Sequence, residues 1–193
     1  MNIIITGASG LIGSNLTKLL KQNHFSVTKL TTNPKLVNDK DTFLWHPDKG
    51  YIDIRCFKEE NIIINLAGAN IFDKRWTDQR KKELADSRIE GTSLLFDMIN
   101  KEGFNVKRLI NASAIGIYPD PCGPSVNEDQ PHGDSFISDL CIKWEAAAHL
   151  FDAANIPVTI IRIGIVLDAE KGFLEALAKP IKMNAGAVLG TGK

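Results

Sequence analysis

The chain opens Met1-Asn2-Ile3-Ile4-Ile5-Thr6-Gly7-Ala8-Ser9-Gly10-Leu11-Ile12-Gly13, an apolar run, glycines spaced three apart and the start of a helical pattern without interruption. Ile3 to Ile5 read as a buried strand, and Ile12, Leu16, Leu19 and Leu20 fall on one face of the helix that follows. Gly7 permits the tight turn out of the strand, Gly10 lets the backbone approach a pyrophosphate, and Gly13 lets the helix pack closely on the strand. A phosphate there meets the free N–H groups and positive dipole end of a helix N-terminus, so it is held without a basic side chain. The stretch points to a dinucleotide cofactor, with Gly7, Ser9, Gly10, Leu11, Ile12 and Gly13 around its phosphates. The alternative is a glycine-rich turn with no ligand.

Composition agrees with a soluble α/β core. With 193 residues, 44% of them hydrophobic, the chain can bury one sizeable core. Its 23 basic and 23 acidic residues cancel, which leaves no electrostatic footprint for nucleic acid or an anionic membrane surface. No apolar stretch approaches membrane-spanning length, and the N-terminus lacks the basic segment of a signal peptide. Cys56, Cys122 and Cys141 are odd in number and lack metal-ligand spacing, so reduced thiols and a cytoplasmic location are expected, with no metal site.

Strand and helix signals alternate onward in the manner of a doubly wound parallel sheet. Strands are expected near Ser26 to Thr31, Thr42 to Trp45, Ile62 to Leu66, Arg108 to Ala112 and Val158 to Ile163. The clearest helices run from about Thr77 to Asn100 and from about Ser138 to Ala154, and Pro119 to Gly133 reads as a surface loop. In such folds ligands bind in loops after the strand ends.

Those strand ends carry a resemblance. Thr6-Gly7-x-x-Gly10-x-x-Gly13, Asn65-Leu66-Ala67-Gly68 and Asn111-Ala112-Ser113 resemble the extended short-chain dehydrogenase/reductase superfamily of sugar-nucleotide epimerases and dehydratases. Lys74-Arg75-Trp76-Thr77, Ser87-Arg88, Lys143-Trp144-Glu145 and Arg162-Ile163-Gly164-Ile165-Val166-Leu167 narrow it to a branch labelled epimerase-family proteins, some of them called cell-division inhibitors. The resemblance runs across essentially the whole chain. It implies a Rossmann domain over residues 1–170 and the start of a truncated substrate-binding region over 171–193, because relatives continue past the segment matching Gly186 to Lys193. A cell-division role has no physical support in these residues.

Cofactor choice depends on the end of the second strand, where an acidic residue would bond the ribose 2′-hydroxyl of NAD. Thr31-Thr32-Asn33 stand there, with Lys35 nearby. Without a carboxylate to repel a 2′-phosphate, NADP is favoured over NAD, although no arginine clamp follows. The competing reading is that Thr31 and Thr32 merely end a strand before the Asn33-Pro34 turn. Leu66 and Ala67 are expected beneath the adenosine side, with Gly68 allowing the turn. The resemblance also brings Glu83, Arg88 and Val166 to the cofactor. Charge patterning alone makes Arg80, Lys81, Lys82, Glu83, Asp86 and Arg88 a solvated helical face.

For catalysis the resemblance implies a Ser or Thr that holds the substrate oxygen, a Tyr that transfers a proton, and a Lys four residues later that lowers the Tyr pKa and binds the cofactor ribose. Ser113 and Lys143 fit the first and last roles, but Asp139 stands where the Tyr belongs. An ordinary aspartate is ionised at neutral pH and cannot donate that proton. Asp139 and Lys143 also read as an i,i+4 ion pair, on a face apart from the apolar Ile137, Leu140, Cys141, Trp144, Ala148 and Phe151. Tyr118 is the nearest alternative phenol, or else a packing residue. Two functions stay open: an NADP-dependent oxidoreductase or epimerase-like enzyme acting on a small carbonyl or nucleotide-sugar substrate, and a non-catalytic NADP(H) sensor. The superfamily implies a homodimer through the two long helices, whose polar residues equally suit solvent.

Overall fold

Alternation along the first strand decides the layering. In a computed structural model describing residues 1–119, 125–168 and 173–183, β1 (Asn2–Thr6) is buried at every position. Ile4 points into one core and Ile3 and Ile5 into another, as period-two geometry requires of a strand covered on both faces. Ile3 and Ile5 meet Val27, Ile64 and the Leu16 and Leu20 side chains of α1 (Leu11–Gln22). Ile4 joins the larger core with Leu30, Phe43, Trp45, Ile63, Leu95 and Phe151.

The remaining elements follow in order: β2 (Ser26–Thr31), β3 (Thr42–His46), β4 (Tyr51–Ile52), β5 (Asn61–Asn65), α2 (Asp78–Glu102), β6 (Val106–Ala114), α3 (Phe136–Ala153), β7 (Val158–Ile163) and α4 (Phe173–Lys182). Among the described residues they form a seven-stranded sheet in the order β4-β3-β2-β1-β5-β6-β7. β1 pairs in parallel with both β2 and β5. The chain thus winds outward from β1 through β2 to β3, then returns to the other side of β1, and the crevice at that reversal is where this doubly wound topology binds ligands. The two-residue antiparallel β4 has no counterpart in the sequence pattern; it is too short for alternation to mark it.

Caps set the long helices. Thr77 Oγ1 accepts from the Arg80 amide at the start of α2, and Gly103, at φ 70°, ends it in the left-handed region. Ser135 caps α3 by accepting from the Ser138 amide. The chain divides into two compact units, residues 1–162 and 163–193. The first carries the sheet from β1 into β7 with α1 to α3, and the second carries α4. No helix among the described residues is long and apolar enough to cross a membrane. Cys122 and the segment from Gly186 to Lys193 lie outside the described residues.

Candidate functional site

The turn from β1 into α1 is built without room for side chains. Gly7 has φ 66°, and a Cβ there would stand 2.6 Å from the Leu66 carbonyl oxygen. A Cβ on Gly13 would come within 2.3 Å of the Gly7 carbonyl oxygen, so the glycine is what lets α1 start against the strand end. The Gly10 amide donates to Gly7 O at 3.0 Å. Gly10 then serves as N-cap of α1 with no side-chain cap and no acidic residue in the first turn, which leaves donors and positive dipole for an anion.

Beyond this turn opens a cleft of about 840 Å³, walled by the C-terminal ends of β1, β2 and β5 and by α2. Gly7, Ser9, Thr31, Thr32, Ala67, Gly68 and Glu83 line it together with Lys29, Leu36, Asn38, Trp45 and Asp48. Gln79, Lys82, Glu83, Asp86, Ser87 and Glu90 recur every three or four residues, so one polar face of α2 forms the far wall. Of the other cofactor residues expected from sequence, Gly10, Leu11, Ile12 and Gly13 form the cap and first turn of α1, Leu66 adjoins the lining residue Ala67, and Arg88 is buried behind Gly68. Val166 lies in the second unit, 40% exposed.

Thr6 stands in the glycine motif, but motif reading assigned it no role. Its Oγ1 donates to Asn65 Oδ1 at 2.6 Å and accepts the Leu66 and Ala67 amides, each at 3.1 Å. Asn65 Nδ2 donates in turn to Asn111 Oδ1 at 2.6 Å and to Thr92 Oγ1 at 2.9 Å. Buried polar groups joined in this way fix the ends of β1, β5 and β6 against one another, and with them the cleft floor. The Thr6-Gly7, Asn65-Leu66 and Asn111-Ala112 pairs at successive strand ends were the available signal.

Arg80 and Arg88 are not on a solvated face, although their charge pattern favours one: they are 5% and 8% exposed. Arg80 pairs with Asp73 and Glu83, both at 2.6 Å, and donates to the Asn70 carbonyl. Its guanidinium holds the Glu83 carboxyl below the usual glutamate range. Arg88 donates to the Leu84 and Ala69 carbonyls at 2.9 and 3.1 Å and lies over the Trp144 ring at 5.3 Å. Burial lowers its pKa. Gly68 serves this arrangement rather than a left-handed turn, since a Cβ on it would stand 2.8 Å from Arg88 Cζ.

At the end of β6 the Ser113 hydroxyl, 3% exposed, donates to Glu145 Oε1 at 2.5 Å. Arg162 grips Glu145 with two bonds, Nε to Oε1 and Nη2 to Oε2, both at 2.9 Å. It also donates to the Tyr118 hydroxyl at 2.8 Å and to the Glu128 carbonyl at 2.9 Å. Burial raises the Glu145 pKa, but bonds from Arg162 and Ser113 outweigh it and leave the carboxyl below its ordinary value. Asp139 and Lys143 form the i,i+4 pair at 2.8 Å, with side chains 56% and 60% exposed. Neither lines the cleft. Cys56 is buried and its thiol is pushed up to about 12 by burial, a state without nucleophilic character at neutral pH.

This geometry matches known proteins closely. The chain is 32% identical over 191 residues to an epimerase family protein of Mycobacterium bovis and 34% identical to one of Staphylococcus aureus. It spans 62% and 63% of their lengths. Among solved structures, the human epimerase family protein SDR39U1, crystallised with NADPH, is 29% identical with a TM-score of 0.80, covering 100% of this chain and 63% of that one. A nucleoside-diphosphate sugar epimerase from Corynebacterium glutamicum is 26% identical with a TM-score of 0.81, covering 100% of this chain and 39% of the other. The model of the NAD dependent epimerase/dehydratase family matches residues 3–166, and the chain belongs to that family.

Proposed function

We propose that the cleft binds NADP(H), and that the chain is the cofactor-binding part of an oxidoreductase or epimerase-like protein acting on a small carbonyl or nucleotide-sugar substrate. The observation that carries this is the uncapped start of α1 at the topological switch point, where Gly7 and Gly13 leave no space for a Cβ and Gly7 and Ser9 open into the cleft. The residues fit the cofactor. First-turn amides of α1 suit its pyrophosphate, Thr31 and Thr32 its adenosine ribose, and Ala67 and Gly68 a close backbone approach. NADPH in the human relative supports the choice of NADP. When bound, the nicotinamide supplies hydride-transfer chemistry.

The protein's own share of the chemistry centres on Ser113, Lys143 and Tyr118. Glu145 accepts a hydrogen bond from the Ser113 hydroxyl, and Arg162 orients both Glu145 and the Tyr118 hydroxyl. A second reading, a sensor that binds NADP(H) without turnover, is favoured by one observation. Asp139, in the proton donor's place, is exposed and paired to Lys143.

Calorimetric titration with NADP⁺, NADPH, NAD⁺ and NADH tests the proposal. The expected result is binding of NADP(H) in preference to NAD(H), lost in Gly10→Val while the far-UV circular dichroism is retained. A Cβ at Gly10 meets Gly7 O at 3.3 Å, and the rest of a valine side chain blocks approach of a pyrophosphate. Failure of all four dinucleotides to bind overturns it.

A further inference from the structure

β2 carries a cation that its alternation aims at the same face as Thr31. Val27, Lys29 and Thr31 share one side of the strand, Val27 sits in the core, and Lys29 and Thr31 both line the cleft. Among the described residues two cations line this cleft, Lys29 and Lys82. Lys82 stands on the α2 wall, paired to Asp86 with Glu90 adding to its field. Lys35, the cation beside Asn33 in sequence, does not line the cleft.

Lys29 is held loosely. Its Nζ lies 3.3 Å from Asp41 Oδ1, whereas Lys21 reaches Asp41 Oδ2 at 2.5 Å, Thr42 Oγ1 donates to Oδ1 at 2.8 Å and Asn38 Nδ2 donates to Oδ1 at 3.0 Å. Burial raises the Asp41 pKa, but these four donors hold it well below the carboxylate range. Asp41 therefore stays ionised and well partnered if its longest contact is withdrawn. A lysine on a flexible four-carbon stem, 26% exposed, can make that exchange at little cost.

We propose that Lys29 is the residue that selects NADP over NAD, leaving Asp41 to neutralise the 2′-phosphate of the adenosine ribose. The proposal rests on the cleft's being the NADP site. In such sheets the ribose 2′ position lies at the end of β2, where NAD-binding proteins place a carboxylate. Here hydroxyls from Thr31 and Thr32 and one mobile cation supply the opposite preference, without the bidentate arginine that a tighter phosphate site would use.

The test measures binding of NADP⁺, NAD⁺, adenosine 2′,5′-bisphosphate and 5′-ADP to the unaltered chain, Lys29→Gln and Lys35→Gln. Lys29→Gln is expected to weaken NADP⁺ and the 2′,5′-bisphosphate by about ten-fold or more, with NAD⁺ and 5′-ADP unchanged. Lys35→Gln leaves all four unchanged. The preference for the 2′-phosphate shrinks with added salt in the unaltered chain and much less in Lys29→Gln. The role of Lys29 is overturned if Lys29→Gln keeps the NADP⁺ to NAD⁺ ratio of the parent at the same melting temperature, or weakens both nucleotides equally. If the unaltered chain binds neither nucleotide, the cleft reading itself falls and Lys29 with it.

Discussion

Arg162 shows how much a single side chain can carry. Glu145 and Arg162 have side chains only 10% and 17% exposed and share two 2.9 Å bonds. Taking charges out of water is costly, and a buried pair is often no better than an apolar one, but deleting one partner strands the other. Arg162→Met therefore leaves a buried carboxylate bound only by Ser113, and a loss of about 3–5 kcal/mol is expected. Urea unfolding followed by circular dichroism checks it, and a loss below about 1 kcal/mol would mean that Glu145 reaches water. Both residues stood inside quoted motifs, yet their partnership was illegible: they are 17 positions apart, one on α3 and the other on β7, and only the tertiary structure brings them together. The burial of Arg88 was hidden for a similar reason, since charge patterning reads a helix face without knowing which loop closes over it.

At the scale of elements, α3 divides its labour cleanly. Leu140, Cys141, Trp144, Ala148 and Phe151 are buried, as their spacing predicts, while Ile137 of the same stripe is half-buried. Asp139 and Lys143 occupy the wet side, and exposed i,i+4 pairs of this kind contribute about 0.3–0.5 kcal/mol. Asp139→Ala is accordingly expected to change stability by no more than about 0.5 kcal/mol and to leave NADP⁺ affinity unaltered. A calorimetric titration beside a denaturant curve decides this, and a loss of NADP⁺ affinity would place Asp139 at the cofactor after all. The β1 and α1 pair was readable almost to the residue, because a strand, a glycine turn and a helix start are encoded locally. β4 was not, since two residues hold no period, whereas the turn at Pro34–Leu36 was marked by its Asn33-Pro34 chemistry.

For the whole molecule, net charge is zero at pH 7 and the carboxylates carry the pH response. Glu145 and Asp41 have folded pKa values below their ordinary ones, so the native state binds fewer protons than the unfolded chain in acid. Their contribution is fully present above the ordinary values of 4.5 and 3.8 and is lost as pH falls through the lowered ones. The urea midpoint is expected to hold between about pH 7 and 5 and to fall below about 4.5. A midpoint flat down to about pH 3 would show that neither carboxylate is stabilised by folding. The glycine turn and the uncapped helix start after it were written in the chain, because each depends on spacings of two to four residues, and the alternation of strand and helix signals marked the doubly wound class. Which charges are buried, which lysine enters the cleft and which partner accepts the Ser113 hydrogen bond were settled by folding alone. Ser113 and Glu145 are 32 positions apart and Arg162 and Tyr118 are 44, and sheet order and helix packing, which no local period records, bring them within bonding distance.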